Sequence, residues 1–164
     1  VEKIKTIGDA YMVAGGLDDQ FSDGDALHEK PGYTDHICAM ALEMLDYMED
    51  LSRRKSISLQ IHVGISTGPV VAGVIGTKKF IYDLWGDTVN IASRVTTEAG
   101  AGDVLVDATT YKRVSSRFAF TGPERLVVKG KGEIVAYRLH QPGHAASGHA
   151  GAVHGERARA ALHS

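Results

Sequence analysis

Three polar residues of the right kinds stand close together in Phe80–Arg94, FIYDLWGDTVNIASR. Asp83 precedes an aromatic-Gly-Asp turn, Trp85-Gly86-Asp87, and that turn opens a segment carrying Asn90 and Arg94. If the segment is helical, the i,i+4 spacing puts Asn90 and Arg94 on one face. Ile91 and Val95 share the same spacing but face elsewhere, inward. A carboxylate accepts, a carboxamide does both and a guanidinium only donates. Together they can read a base, orient a sugar and neutralise a phosphoryl group.

Two other places hold chemistry-bearing groups. In VEKIKTIGDAYMVAGG, Val1 to Gly16, Lys5 lies in a strand-like run and Asp9 on a Gly-Asp turn. The plain reading of Asp9 is an Asx-type turn residue. That of Lys5 is a solvated strand lysine, and that of Asp83 a helix entry. In VKGKGEIVAYRL, Val128 to Leu139, Lys129 and Lys131 flank Gly130. A charged hairpin turn accounts for them, with Gly130 and Gly132 letting the backbone bend.

These segments, with HVGISTGPVVAGVIG from His62 to Gly76, occur in the order of the class III nucleotidyl cyclases, and the chain resembles that family from Val1 to about Leu139. The resemblance implies an adenylyl cyclase catalytic domain that converts ATP to 3′,5′-cyclic AMP and pyrophosphate. It places Asp9 at a metal-binding carboxylate, with two Mg²⁺ or Mn²⁺ ions per active site. Hard cations of that kind want carboxylate and phosphate oxygens. Lys5 and Asp83 match the positions that specify the purine. A lysine donor and an accept-only aspartate complement adenine N1 and N6, whereas guanylyl members typically carry Glu and Cys there. Asn90 matches the ribose-orienting position, Arg94 the residue that stabilises charge on the α-phosphate, and Lys129 the phosphate-binding lysine.

The family's site lies between two domains packed head to tail. This chain carries residues of both contributions, which implies a homodimer. The family's first strand and helix, with a second metal-binding Asp, are expected to lie before Val1. An N-terminally truncated domain of this kind would be inactive alone. A guanylyl cyclase and a non-catalytic nucleotide-binding regulatory module are the alternatives.

The elements that must position these residues are legible in part. Val1–Ile7 and Ala10–Ala14 read as a hairpin about Gly8-Asp9. Thr34 to about Arg54 reads as a helix capped by Thr34, with Ile37, Ala41, Met44, Leu45, Met48 and Leu51 at helical spacing. Ile57–Ser66 alternates and predicts a half-buried strand. Val70–Ile75 predicts another strand, and Asp87 is expected to cap the Asn90 helix. A strand at Asp103–Val106, a helix at Ala108–Val114 and strands near Phe118, Leu126–Val128 and Ile134–Leu139 complete the list. Mixed order without strict alternation predicts an α+β fold with a largely antiparallel sheet. The resemblance sharpens this to a ferredoxin-like core with extra elements, lacking its first strand and helix. The domain is expected over residues 1–140, and residues 141–164, rich in Gly, Ala and His, as a low-complexity disordered tail.

A length of 164 residues suits one domain, and a 43% apolar content allows a sizeable core. A net charge of −2 gives no broad basic field for nucleic acid or anionic lipid. The single cysteine, Cys38, excludes an internal disulfide and reads as a buried helical thiol. With no long apolar run, a cytoplasmic catalytic domain is expected, its parent open to a membrane anchor elsewhere.

Overall fold

The computed structural model describes residues 1–17, 32–76, 80–128 and 132–141. The expected tail at 142–164 and Lys129 and Lys131 lie outside them.

The first strands, β1 (Glu2–Ile7) and β2 (Ala10–Ala14), pair antiparallel about the Gly8-Asp9 turn, where Gly8 has φ 61°. Only glycine takes that left-handed backbone without steric cost. The register slips between Lys3 and Lys5. Helix α1 (Tyr33–Lys55) follows. Its N-cap is Gly32, not Thr34: the side chain of Asp35 accepts from the Gly32 N–H at 3.0 Å. Asp35 reaches back from the third helical position, so no cap hydroxyl is required. Arg53, Arg54 and Lys55 lie in the last turn, where cations suit the helix dipole.

Strand β3 is only Val63–Ile65. The alternation over 57–62 continues the pattern without becoming strand, because among the described residues β3 pairs with the short β6 (Val104–Asp107) alone, in parallel. The backbone N–H of Gly102 donates to Ile61 and that of Val63 to Asp103. There the partner turns away, so Ile57 and Leu59 stay exposed. Strands β4 (Val71–Ile75) and β5 (Ile81–Trp85) form a second antiparallel pair. Helix α2 (Asp87–Glu98) and helix α3 (Ala108–Val114) flank β6 in sequence. Strands β7 (Ala119–Val128) and β8 (Gly132–His140) close the chain's main sheet, ordered β3-β6-β8-β7. That sheet is antiparallel except for β3–β6.

The core sits on both faces of β6, whose Val104, Leu105 and Val106 are fully buried. Val104 and Val106 meet α1 through Cys38, Ala41 and Leu42; Leu105 meets α2 through Val95 and the C-cap residue Ala99. Each such aliphatic side chain contributes about 1.5–3 kcal/mol through burial. This is the reason a four-residue strand can anchor two helices. Burial and the neighbouring Asp35 carboxylate push the Cys38 thiol up to about 12. Asp35 is itself buried and paired bidentately with Arg117.

Candidate active site

The bulge in β1 and the antiparallel β4–β5 pair bring Lys5 against Asp83. Lys5 Nζ donates to Asp83 Oδ2 at 2.6 Å, across 78 positions of sequence. Asp83 Oδ1 accepts from the Leu84 N–H at 2.8 Å. Leu84 is buried next to it and anchors the middle of β5, where Asp83 lies. The lysine ammonium and then the Leu84 amide hold the Asp83 carboxyl below its usual value of 3.8. Both side chains stay partly open to solvent. Lys5 keeps two N–H donors and Asp83 keeps free lone pairs, so the pair can still bind a planar base with a donor and an acceptor side by side.

A consequence is measurable in stability. A depressed folded value means that Asp83 stabilises the fold above the ordinary aspartate value of 3.8 and stops doing so as pH falls through the lower folded value. Asp83→Asn is expected to lower the melting temperature at neutral pH, and the gap to wild type should close in acid below that value. Melting curves of both proteins across pH check this. A gap independent of pH contradicts the ion pair.

Asn90 and Arg94 both lie on the exposed side of α2, as their spacing predicts. Val95, at 0% exposure, and Ile91 lie in the core on another side. The helix starts from Gly86, whose φ of 133° no L side chain adopts readily, and Gly86 O accepts from the Asn90 N–H at 3.3 Å. Asp87 is therefore the first helical residue and not the cap. Its charge falls in the first turn, where the dipole favours an anion. Asp9 is exposed in the β1–β2 turn.

Among the described residues no three metal-ligating side chains cluster. Asp9 offers a single carboxylate in open solvent, which fits an ion held by one or two carboxylates plus substrate phosphates but not a closed protein cage.

Sequence reading passed over Thr88, Gly64 and Gly68. Thr88 Oγ1 donates to the Pro69 carbonyl at 2.7 Å. The signal was present in the i,i+4 run Thr88, Ala92, Thr96 and in two glycines spaced by four, but Gly68-Pro69 reads first as a strand breaker.

Comparison with known proteins adds the lineage. The adenylate and guanylate cyclase catalytic domain family matches residues 1–141. An adenylate cyclase of Mycobacterium tuberculosis is 35% identical over 139 residues, covering 85% of this chain and 29% of that protein. The aggregation-specific adenylate cyclase of Dictyostelium discoideum is 37% identical over 85% of this chain and 9% of its own length. The chain thus spans less than a third of these relatives. The solved catalytic core of a rhodopsin-guanylyl cyclase with converted specificity, in complex with ATPαS, superposes with a TM-score of 0.71 at 32% identity, covering 84% of this chain and 70% of that one. The guanylate cyclase domain from Catenaria anguillulae in complex with GTP gives 0.73 at 30% identity, covering 84% and 71%. On the match over residues 1–141, this chain belongs to the class III adenylyl and guanylyl cyclase catalytic domain family.

Proposed function

We propose that the chain is the catalytic domain of an adenylyl cyclase, forming 3′,5′-cyclic AMP and pyrophosphate from ATP. The observation that carries this reading is the Lys5–Asp83 pair at 2.6 Å. Relatives in the family include proteins of both purine specificities, so membership alone does not choose the base. The pair supports adenine on chemical grounds. A lysine N–H faces the N1 acceptor of adenine and a carboxylate oxygen faces its N6 donor.

The other residues take roles consistent with their placement. Asn90, one turn before Arg94 on the same open face, orients the ribose. Arg94 meets the charge that develops on the α-phosphate as the ribose 3′-oxygen attacks and pyrophosphate leaves, which is electrostatic stabilisation of the transition state. Lys129, outside the described residues, holds phosphate oxygens. Asp9 would hold a divalent ion, Mg²⁺ or Mn²⁺, two of which per site lower the charge barrier when bound.

A dimer fits the surface. Strands β4 and β5 expose Val71, Val74, Ile75 and Ile81, with Phe80 beside them 75% exposed. An apolar patch of this kind is costly in water and marks an interaction face. A second copy placed head to tail would cover it and bring Asp9 of one subunit to Arg94 of the other. Among the described residues no helix is long and apolar enough to cross a membrane.

The test is an assay of the full-length protein with ATP or GTP and Mn²⁺, reading cyclic AMP and cyclic GMP. Cyclic AMP as the dominant product, lost in Arg94→Ala, is expected. Cyclic GMP as the dominant product, or no product from a folded dimer, contradicts the reading.

A further inference from the structure

We propose that Gly64, Gly68 and Thr88 form a seat that fixes the height and rotation of α2 and so aims Asn90 and Arg94; the proposal rests on the reading above, in which those two side chains touch the nucleotide. Thr88 is then a positioning residue.

Thr88, Ala92 and Thr96 follow each other at i,i+4 and make one stripe along α2. Asn90 and Arg94 are offset from that stripe by two residues, about 200° around the helix at 3.6 residues per turn. The stripe and the two site residues therefore lie on opposite sides of α2. What holds the stripe, together with the core packing of Ile91 and Val95, sets where Asn90 and Arg94 point.

The stripe is held by two glycines. A Cβ on Gly64 in β3 would stand 2.3 Å from the Thr96 nitrogen, 2.4 Å from Thr96 Oγ1 and 2.7 Å from the Ala92 carbonyl oxygen. A Cβ on Gly68 would stand 2.6 Å from Thr88 Oγ1. Neither glycine has a positive φ, so the backbone conformation does not call for glycine at either place. The close approach does. Helix α2 rests on bare backbone at both ends of its inner stripe.

Thr88 adds the directional contact, donating to the Pro69 carbonyl at 2.7 Å. The loop that carries Pro69 is fixed from its other side. Ser66 Oγ donates to Asp107 Oδ2 at 2.8 Å, and the hydroxyls of Thr67 and Thr110 share a hydrogen bond of 2.7 Å. Asp107 in turn caps α3 by accepting from the Thr110 N–H at 2.8 Å. Asp107 and Thr110 are buried, so the loop is tied to the core and offers α2 a stationary rest. A slip at Thr88 would swing the guanidinium of Arg94, which stands at the end of a long side chain. Misplacement by about 1 Å from a change remote from the chemistry can cost about a hundredfold in rate.

The experiment uses the full-length protein with Thr88→Val, Thr88→Ala, Thr88→Ser, Gly68→Ala and Arg94→Ala, measuring kcat and KM for ATP together with Tm. Thr88→Val and Thr88→Ala remove the hydroxyl with and without keeping the bulk. Each is expected to lower kcat about tenfold or more while KM stays within about threefold, because Lys5 and Asp83 sit on other elements and make the main ground-state contacts to the base. Thr88→Ser keeps the donor and should recover most of kcat. Gly68→Ala should reproduce the kcat loss by pushing Thr88 off its acceptor. Loss of kcat equal in Thr88→Ser and Thr88→Val, loss appearing in KM instead, or wild-type kcat in both hydroxyl-less variants overturns the seat. Arg94→Ala separates the two levels. If it is dead while Thr88→Val and Thr88→Ala match wild type, the seat fails and the cyclase reading stands. If Arg94→Ala keeps full activity, the role given to Arg94 fails and the seat fails with it, while the cyclase reading stands on the product formed.

Discussion

Subunits carrying Asp9→Ala, mixed with subunits carrying Arg94→Ala, are expected to recover cyclase activity that neither variant has alone. Asp9 lies in the β1–β2 turn and Arg94 on the open face of α2, and both are exposed. In a head-to-tail dimer each site takes Asp9 from one subunit and Arg94 from the other. Removing a group that stabilises transition-state charge costs roughly 10²–10³-fold in kcat, so each variant homodimer should fall by at least that much. A mixed dimer has one site with both residues defective and one with both intact. Random pairing makes about half of the dimers mixed, so about a quarter of the wild-type rate should return, given a two-fold interface with equivalent sites. The measurement is cyclic AMP production after co-refolding or co-expression, with mixed dimers confirmed by differential tagging. No recovery in confirmed mixed dimers contradicts a shared site.

The sequence exposed some parts of this fold more readily than others, and the reasons are physical. Helices α1 and α2 were legible because each has an apolar face at helical period against a polar one. The alternation that predicted a strand over Ile57–Ser66 gave only Val63–Ile65. Alternation reports which residues can face a core, but the length of a ladder is set by its partner, and β6 offers four residues. The expected caps, Thr34 and Asp87, are displaced by Gly32 and Gly86. In both places glycine takes the cap and the neighbouring aspartate works from inside the first turn. Composition said nothing about which sheets form. The separation into β1–β2, β4–β5 and the four-stranded sheet depends on pairings between distant segments.

The site was legible unequally. Asn90 and Arg94 share a face because they are four apart on one helix, which spacing alone dictates. Lys5 and Asp83 are 78 positions apart and on different sheets, so no local pattern could join them. Their pairing was suggested only by resemblance to a family, and their contact at 2.6 Å is a tertiary fact. The rest beneath α2 was missed for another reason. A glycine needed for close approach looks in sequence like a glycine needed for a turn.

The choice of purine turns on two hydrogen-bonding positions of the base. Guanine presents an O6 acceptor where adenine has its amino donor, and an N1–H donor where adenine accepts. Against GTP, Asp83 would face O6 with like polarity and Lys5 would face a donor. Each mismatched hydrogen bond to a charged group costs roughly 1.5–3 kcal/mol, so two give discrimination of about a hundredfold or more. In the double variant Lys5→Glu with Asp83→Cys, Glu would accept from N1–H and the thiol would no longer repel O6. The deciding measurement is kcat/KM for ATP and for GTP in the full-length wild type and in this double variant. A wild-type preference for ATP of about a hundredfold or more is expected, collapsing or inverting in the variant. An ATP:GTP ratio unchanged by both substitutions would show that Lys5 and Asp83 do not read the base, and would contradict the adenylyl assignment.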